Sequence, residues 1–419
     1  MTLALLTCCL LLQSLTPEVI EHAQAGAAAL QQGQPKVAIQ EFRKVTELQP
    51  NSAAGHANLG DAYFQNGEYS EAIPELELAL RLNPNLMGTH QTLGVALLVQ
   101  GNPEKAVPHL EKTHTPELLG LAYLETGKLG SAIMALQAAL ERQPNDPDLL
   151  YYFGRATAFA SKRTYDHLAQ VDPGLARKYS SAENNKSQPA QDVVTLQKAL
   201  AKQPNDGDLL FAFSQAATLA SRHAFDQIVQ AEPNSARAHQ VLAERYFESG
   251  SLRDAEREYG ESLRLMPYTS HVHLALGNVF AAEGKWTAAV AQYRMESKLQ
   301  PSSADAFYRT GSVLLQQGYA TGALEELAHA DRLKPDTPQI LLELGRAAFA
   351  ANDTVRAETS LVRLLGIDQK SDLAASAHFE LAALYRRAGR SQEADRETAA
   401  YEQLRNPGTV RSTRNAPTN

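Results

Sequence analysis

The sequence predicts an all-α fold, a solenoid of antiparallel helix pairs, on three observations. Prolines fall at a 34-residue interval, at Pro50 and Pro84 and again at Pro233, Pro267, Pro301 and Pro335. Glycines and alanines keep step with them. Between those marks alanine and leucine dominate, a composition of packed helices and not of a disordered chain. A fixed period of this length marks units that bury their apolar faces only against neighbouring units.

With the prolines set as position 32, units start at Val19, Ala53 and Met87, then at Ala236, Ser270 and Ala304, and Pro338 opens another. Position 8 is then Gly26, Gly60, Gly94, Gly277, Gly311 and Gly345. Recurrent glycine is expected where two antiparallel helices cross too closely for a side chain. Position 20 is Ala38, Ala72, Ala106, Ala255, Ala289, Ala323 and Ala357, and position 24 is Phe42, Leu76, Leu110, Tyr259, Tyr293, Leu327 and Leu361. One is the small contact point of the second helix and the other its large knob. Between the two helices, runs such as Asn66-Gly67-Glu68-Tyr69 and Glu283-Gly284-Lys285-Trp286 place glycine where a helix C-terminus takes a left-handed residue.

Departures from the period divide the chain. Gly94 and Gly120 are only 26 residues apart, so the unit around Met87–Lys112 has lost most of a turn or has a shortened second helix. Further on, the stretch from Gln143 to Lys162 returns 60 residues later as Gln203 to Arg222, and Tyr165-Asp166-His167-Leu168 is echoed by Phe225-Asp226-Gln227-Ile228. Each copy reads as a helix pair with a compressed connection, and the polar run from Tyr179 to Ala190 between them reads as a loop. A second irregularity, Gly366 to Asp372, lengthens the last connection. The expected organisation is an apolar N-terminal segment at 1–16, a first regular block at 17–146, irregular helical repeats at 147–235, a second regular block at 236–405 and a disordered tail at 406–419. That makes about eleven helix-pair units.

In segments such as Ala238 to Gly250 (AHQVLAERYFESG) and Ala275 to Gly284 (ALGNVFAAEG) the sequence resembles the tetratricopeptide repeat family, and the resemblance runs from about Val19 to Arg405. It implies a right-handed superhelix whose inner groove, lined mostly by first helices, holds peptides or partner proteins. It also implies a scaffold role without naming a ligand.

Twelve histidines raise the question of a metal site. Six of them, His22, His56, His90, His239, His273 and His378, fall at position 4, where the family commonly carries a packed aromatic. Equivalent positions in stacked units lie on the order of 20 Å apart, far beyond metal–ligand bonds of about 2 Å. A structural role is therefore expected for them. His271 and His273 are two apart and project to different sides of a helix. No His-Glu-x-x-His motif, nucleophile elbow or phosphate-cradling glycine loop occurs. Carboxylates are plentiful, but none stands in an apolar frame of the kind that raises an acid's pKa. Trp286, at the start of a second helix, is expected to pack on the preceding turn. No catalytic, cofactor-binding or metal-binding residue is expected. A rival enzyme reading would draw on the irregular centre, where Tyr151, Tyr152, Arg155, Tyr165, Asp166 and His167 gather in sequence.

Positions 5, 9, 12 and 13 of a first helix share one face, which the resemblance turns into the groove. In the second block they include Gln240, Glu244, Phe247, Leu274, Asn278, Tyr308, Leu315, Leu342, Arg346 and Phe349, with Arg309 one residue off the stripe. The partner-binding set drawn from them is Glu244, Phe247, Asn278, Tyr308, Arg309, Arg346 and Phe349. Aromatic contact area mixed with a few directional polar groups suits an extended peptide; plain surface or packing between units is the competing reading. Family members that clamp a C-terminal carboxylate use lysines and asparagines on successive first helices. Here Asn58 and Asn278 stand singly with no lysine beside them, which departs from that pattern.

The partner expected is a protein or peptide. With 39 Lys and Arg against 47 Asp and Glu, a formal net charge of -8, the chain has no footprint for nucleic acid or anionic lipid. Both cysteines, Cys8 and Cys9, sit in the apolar opening, too close for an ordinary disulfide and too few for a zinc site. That opening is too short for an ordinary membrane span and has the length of a signal-peptide core without the basic residues that usually precede one. Export to a periplasmic or external compartment is the expectation, cytoplasmic residence the alternative, and no transmembrane span is expected in the mature chain. An accessory role in envelope assembly, secretion or polysaccharide export is the alternative to a general scaffold.

Overall fold

The computed structural model describes residues 16–180 and 189–405. The apolar opening with its export reading, the middle of the polar run between the two copies, and the 406–419 tail lie outside the described residues. Every element among the described residues is an α-helix. The chain divides into two compact units, one ending at Pro233 and the other beginning at Asn234.

The first unit opens with four helix pairs: α1 (Pro17–Gln31) with α2 (Pro35–Leu48), α3 (Ala53–Gln65) with α4 (Tyr69–Leu82), α5 (Met87–Val99) with α6 (Pro103–Thr113), and α7 (Pro116–Glu125) with α8 (Leu129–Arg142). It continues with α9 (Pro147–Val171), α10 (Pro173–Ser180), α11 (Pro189–Lys202) and α12 (Gly207–Ala231). The second unit consists of five pairs: α13 (Ala236–Glu248) with α14 (Leu252–Leu265), α15 (Val272–Ala282) with α16 (Trp286–Leu299), α17 (Ala304–Gln316) with α18 (Ala320–Leu333), α19 (Pro338–Ala350) with α20 (Thr354–Ile367), and α21 (Asp372–Arg387) with α22 (Ser391–Arg405). Within each unit, the second helix of one pair packs on the first helix of the next.

The repeat register explains how a pair closes. A β-carbon at Gly26, Gly60, Gly94, Gly120, Gly277, Gly311 or Gly345 would come within 2.4 to 2.7 Å of the large side chain sixteen residues on, which is Phe42, Leu76, Leu110, Leu136, Tyr293, Leu327 or Leu361 respectively. Only glycine lets the knob lie on the opposite backbone. The alanines at position 20 are fully buried beside it. The linking glycines adopt left-handed conformations, with φ 77 at Gly67 and φ 73 at Gly284, and Asn352 fills the same role at φ 63. The phase-setting prolines stop each second helix, since they cannot donate to the turn before. Two residues later Ser52, Ser235 and Ser303 each accept a backbone N–H of the next first helix at 3.1 to 3.3 Å.

The position-4 histidines form a repeated tie between the helices of a pair. His22, His56, His239 and His378 each place Nδ1 2.5 to 2.7 Å from a glutamate nineteen residues on, at Glu41, Glu75, Glu258 and Glu397. His273 meets Gln292 in the same way at 2.7 Å. Nε2 of His56 and His273 also reaches the carbonyl of the preceding proline, Pro50 at 2.9 Å and Pro267 at 3.0 Å. These two rings therefore fasten their own second helix and the incoming connection together.

The 26-residue unit has the shortened second helix that was one of its two expected forms: α6 ends at Thr113 after 11 residues, where α4 runs to 14, and His114 closes it at φ 49. Three expectations are corrected. The duplicated copies are not helix pairs with a compressed connection: each is one unbroken 25-residue helix, α9 and α12. Their sequences carry no glycine at the point where every regular unit reverses, so nothing terminates the first helix. Counting pairs, the described residues hold nine regular ones plus this centre, not about eleven. The polar run read as a loop is helical at both edges, through Ser180 and from Pro189.

The two long helices pack against each other. A β-carbon on Gly154 would stand 2.6 Å from Phe225, so the glycine-and-knob contact of a pair recurs here between helices 60 residues apart in the duplication. Close by in sequence, buried Ser161 donates to the Ser214 carbonyl at 2.8 Å, and its hydroxyl also lies 2.7 Å from that of Thr218.

Candidate peptide-binding face

On α13, half-buried Glu244 accepts from Gln240 Nε2 at 3.2 Å, and Gln240 accepts from Arg237 at 2.6 Å. One turn on, Phe247 is 37% exposed. Gln240 is itself buried, as is Leu342 on α19, so these two members of the predicted stripe belong to the packing between helices.

Three predicted residues lie on α15 and α17, Asn278 on the first and Tyr308 and Arg309 on the second. Tyr293, buried on α16, donates its hydroxyl to Asn278 Oδ1 at 2.9 Å. Burial pushes the Tyr293 phenol up to about 12, with the Arg309 charge opposing the shift. The Arg309 guanidinium lies 5.9 Å from the centre of the Tyr308 ring. Tyr308 packs on the cluster of Ala323, Leu327, Leu344 and Ala347. Asn278 is thus fixed by Tyr293, whose phenol also feels the charge of exposed Arg309, while Tyr308 packs toward α18 and α19.

On α19 the arrangement differs. Arg346 donates to Glu343 and, on α21, to Glu380, both at 2.9 Å. Burial works against its charge, but the two carboxylates outweigh it and hold the guanidinium above its ordinary value. Phe349 packs on the terminal core, with the Arg387 guanidinium 5.5 Å from its ring centre. Arg346 therefore clamps successive first helices together as well as edging the face. Sequence reading did not find Arg387 or the Arg346–Glu380 bond. The available signal was the separation of 34 residues, one period, which places two residues at equivalent points of adjacent units.

The aromatic and charged cluster of the irregular centre does not converge. All six residues lie on α9, and Tyr151 and His167 are sixteen residues apart on it, about 24 Å along a helix. Tyr165 donates to the Ala176 carbonyl at 3.0 Å and His167 lies 3.1 Å from Asn205. Trp286 packs on the core of Ala289, Tyr293 and Val313. Among the described residues no group of three or more His, Cys, Asp or Glu could hold a metal ion, and no helix is long and apolar enough to cross a membrane.

Family models described as tetratricopeptide repeat match residues 24–86 and 117–166, and 90–112, and a further TPR repeat model matches 277–318. These matches fall in both units, mostly on helix pairs with the glycine register described above, and the 117–166 match runs on into α9. The chain is a tetratricopeptide-repeat protein. Among solved structures, this tetratricopeptide-repeat chain is similar to MamA 41-end from Desulfovibrio magneticus RS-1, at 21% identity and TM-score 0.40, over 42% of this chain and 97% of that one. It is also similar to YrrB, described as a TPR protein with an unusual peptide-binding site, at 17% identity and TM-score 0.40, over 45% and 94% of the respective chains. PilF of Pseudomonas aeruginosa is similar at 18% identity and TM-score 0.40, over 52% and 93%. No curated protein matches the sequence.

Proposed function

We propose that this tetratricopeptide-repeat protein is a non-catalytic scaffold that holds a peptide segment of a partner protein along the first helices of its second unit. The observation behind this reading is the succession along four first helices of exposed Phe247 on α13, Asn278 on α15, Tyr308 and Arg309 on α17, and Arg346 with Phe349 on α19. Apolar ring surface and fixed polar groups recur there on successive first helices, the mixture that extended peptides need. Glu244, Phe247, Asn278, Tyr308, Arg309, Arg346 and Phe349 form the contact set. Phe247 and Arg309 are its most accessible members and Arg346 its most constrained.

Affinity capture with the full chain from its own cell extract tests the reading, comparing wild type with the double variant Phe247→Ser, Arg309→Glu. Both side chains are exposed, so helicity and melting are expected to stay within the narrow range of surface changes. A partner recovered by wild type and lost by the variant supports the proposal; equal recovery moves the site off this face.

A further inference from the structure

We infer that the first unit carries a separate recognition pocket, formed where α8, α9 and α11 meet, that takes the carboxylate side chains of a short acidic peptide with apolar residues between them. The cavity measures about 430 Å³ and is lined by Lys128, Arg163 and Lys198 together with apolar Leu129, Met134 and Phe213. Ser131, Thr164 and Gln197 add neutral hydrogen-bonding groups. No carboxylate is among its described lining residues. The size suits two or three side chains and not a folded surface.

Charge sets the class of ligand. Acidic residues outnumber basic ones in this chain, 47 to 39, and elsewhere several arginines are paired with carboxylates: Arg257 with Asp254, Arg264 with Glu261, Arg363 with Asp331 and Arg390 with Glu358. In the pocket the pattern reverses. Among the described residues no carboxylate lies within ion-pair distance of Lys128, Arg163 or Lys198. Arg163 gives one N–H to the Gly127 carbonyl at a long 3.4 Å, and Lys128 stands 5.8 Å from the Tyr123 ring centre. Most of their donors are therefore unused, and three cations facing one cavity repel one another until an anion enters.

The walls come from separate parts of the chain, so the grouping is a product of the fold. Gly130 on α8 lies against α11: a β-carbon there would be 2.6 Å from Gln197 Nε2. The glycine lets the Gln197 amide settle on the wall, one turn-face from Lys198. The 60-residue duplication does not repeat the pocket, because Lys198 stands where the first copy has Ala138, and Arg163 where the second has His223. The apolar floor distinguishes a peptide from a bare polyanion. A nucleic acid would gain little from Leu129, Met134 and Phe213, and its phosphates would meet the surrounding excess of negative charge. This site uses none of the residues assigned to the second-unit face and stands or falls without it.

The test is fluorescence anisotropy on the full chain with a labelled pentapeptide, Asp-Leu-Glu-Phe-Asp, beside its amide counterpart, Asn-Leu-Gln-Phe-Asn. Saturable binding of the acidic probe is expected, with the amide probe bound about tenfold more weakly or worse. Arg163→Glu with Lys198→Glu should reduce acidic-probe binding by at least about tenfold, and the milder Arg163→Gln with Lys198→Gln should reduce it too at unchanged helicity. Lys36→Glu with Lys105→Glu, an equal change of net charge on exposed residues of α2 and α6, should leave binding intact. Equal affinity for the two probes, equal loss in the distant variant, or displacement of the peptide by oligothymidine at equal concentration would each overturn the inference.

Discussion

His90 Nδ1 stands 2.7 Å from His109 Nδ1, at the point in the repeat where four other position-4 histidines meet a glutamate. His90 keeps the second contact of its class, with Nε2 3.0 Å from the Pro84 carbonyl. That contact requires a proton on Nε2, so in a neutral His90 ring Nδ1 is the acceptor and His109 the donor. Lys112 approaches His90 at 3.3 Å, and Glu77 and Arg81 of α4 line the same 290 Å³ cavity. Burial lowers the His109 pKa below its ordinary value, and the charges of His90 and Lys112 lower it further.

A depressed pKa makes this rung sensitive to acid. Its contribution to stability is complete above the unfolded histidine value of about 6.5 and is lost as pH falls through the folded one. His109→Glu restores the carboxylate found in the other rungs. Thermal melts between about pH 7.5 and 5 should show the wild type losing stability that the variant retains, with a gain of about 1 kcal/mol or less at the acid end. Parallel curves for the two proteins would show that the imidazole pair is not the sensitive element.

Gly277→Ala tests the closure of a pair. The new methyl would lie 2.4 Å from Tyr293 Cε1, and that ring is buried and tied to Asn278. Overpacking of this kind costs about 1 to 3 kcal/mol. Gly260→Ala is the control, since a β-carbon there meets nothing within 4 Å; in mid-helix it should be neutral or gain up to about 1 kcal/mol. Denaturant titration separates the two, and equal midpoints would refute the close crossing.

Asp61, on α3, has a buried carboxylate oxygen, Oδ1, with no hydrogen-bond partner. Burial raises its pKa, with a hydrogen bond from Thr92 opposing the shift, so Asp61 corrects the expectation that no carboxylate stands in a frame that raises its pKa. A raised value means that its favourable contribution is present below about pH 4 and lost as pH rises through the folded value. Asp61→Asn should therefore stabilise the protein at neutral pH by on the order of 1 kcal/mol. The difference should shrink as the pH approaches about 3. A variant less stable at pH 7 would point to an unseen partner for the carboxylate.

The regular pairs were legible in the sequence because their determinants are local and periodic. Gly277 and Tyr293, or Gly60 and Leu76, are sixteen residues apart, as in most regular units, and a left-handed glycine marks every regular reversal except that at Asn352. The long helices were not, because duplication at a spacing other than the repeat period was read as a distorted pair. The deciding signal was the missing glycine after Ser161 and Ser221. The duplication also begins earlier than was read: Leu136-Gln137-Ala138-Ala139-Leu140 of α8 returns as Leu196-Gln197-Lys198-Ala199-Leu200 of α11. On the candidate face, helical spacing identified the stripe but not the pairing within it. Arg346 meets Glu380 through stacking of adjacent units, a contact that a single helix cannot display.

Glu296 offers the sharpest test of how a connection is held. Its carboxylate, with a fully buried side chain on α16, accepts the His271 backbone N–H through both oxygens at 2.9 Å. His271 caps α15 in the left-handed region at φ 69, an uncommon conformation for a side-chain-bearing residue. The two features belong together, because a strained residue persists only where surrounding bonds fix it. Glu296→Ala removes the carboxylate acceptor of this part-buried N–H, at a cost of about 1 to 3 kcal/mol. His271→Gly relaxes the backbone and should offset part of that loss in the double variant. Hydrogen exchange at the His271 amide should accelerate in Glu296→Ala before global unfolding. Unchanged protection there would mean that Pro267 and its carbonyl's contact with His273 hold the connection without the carboxylate.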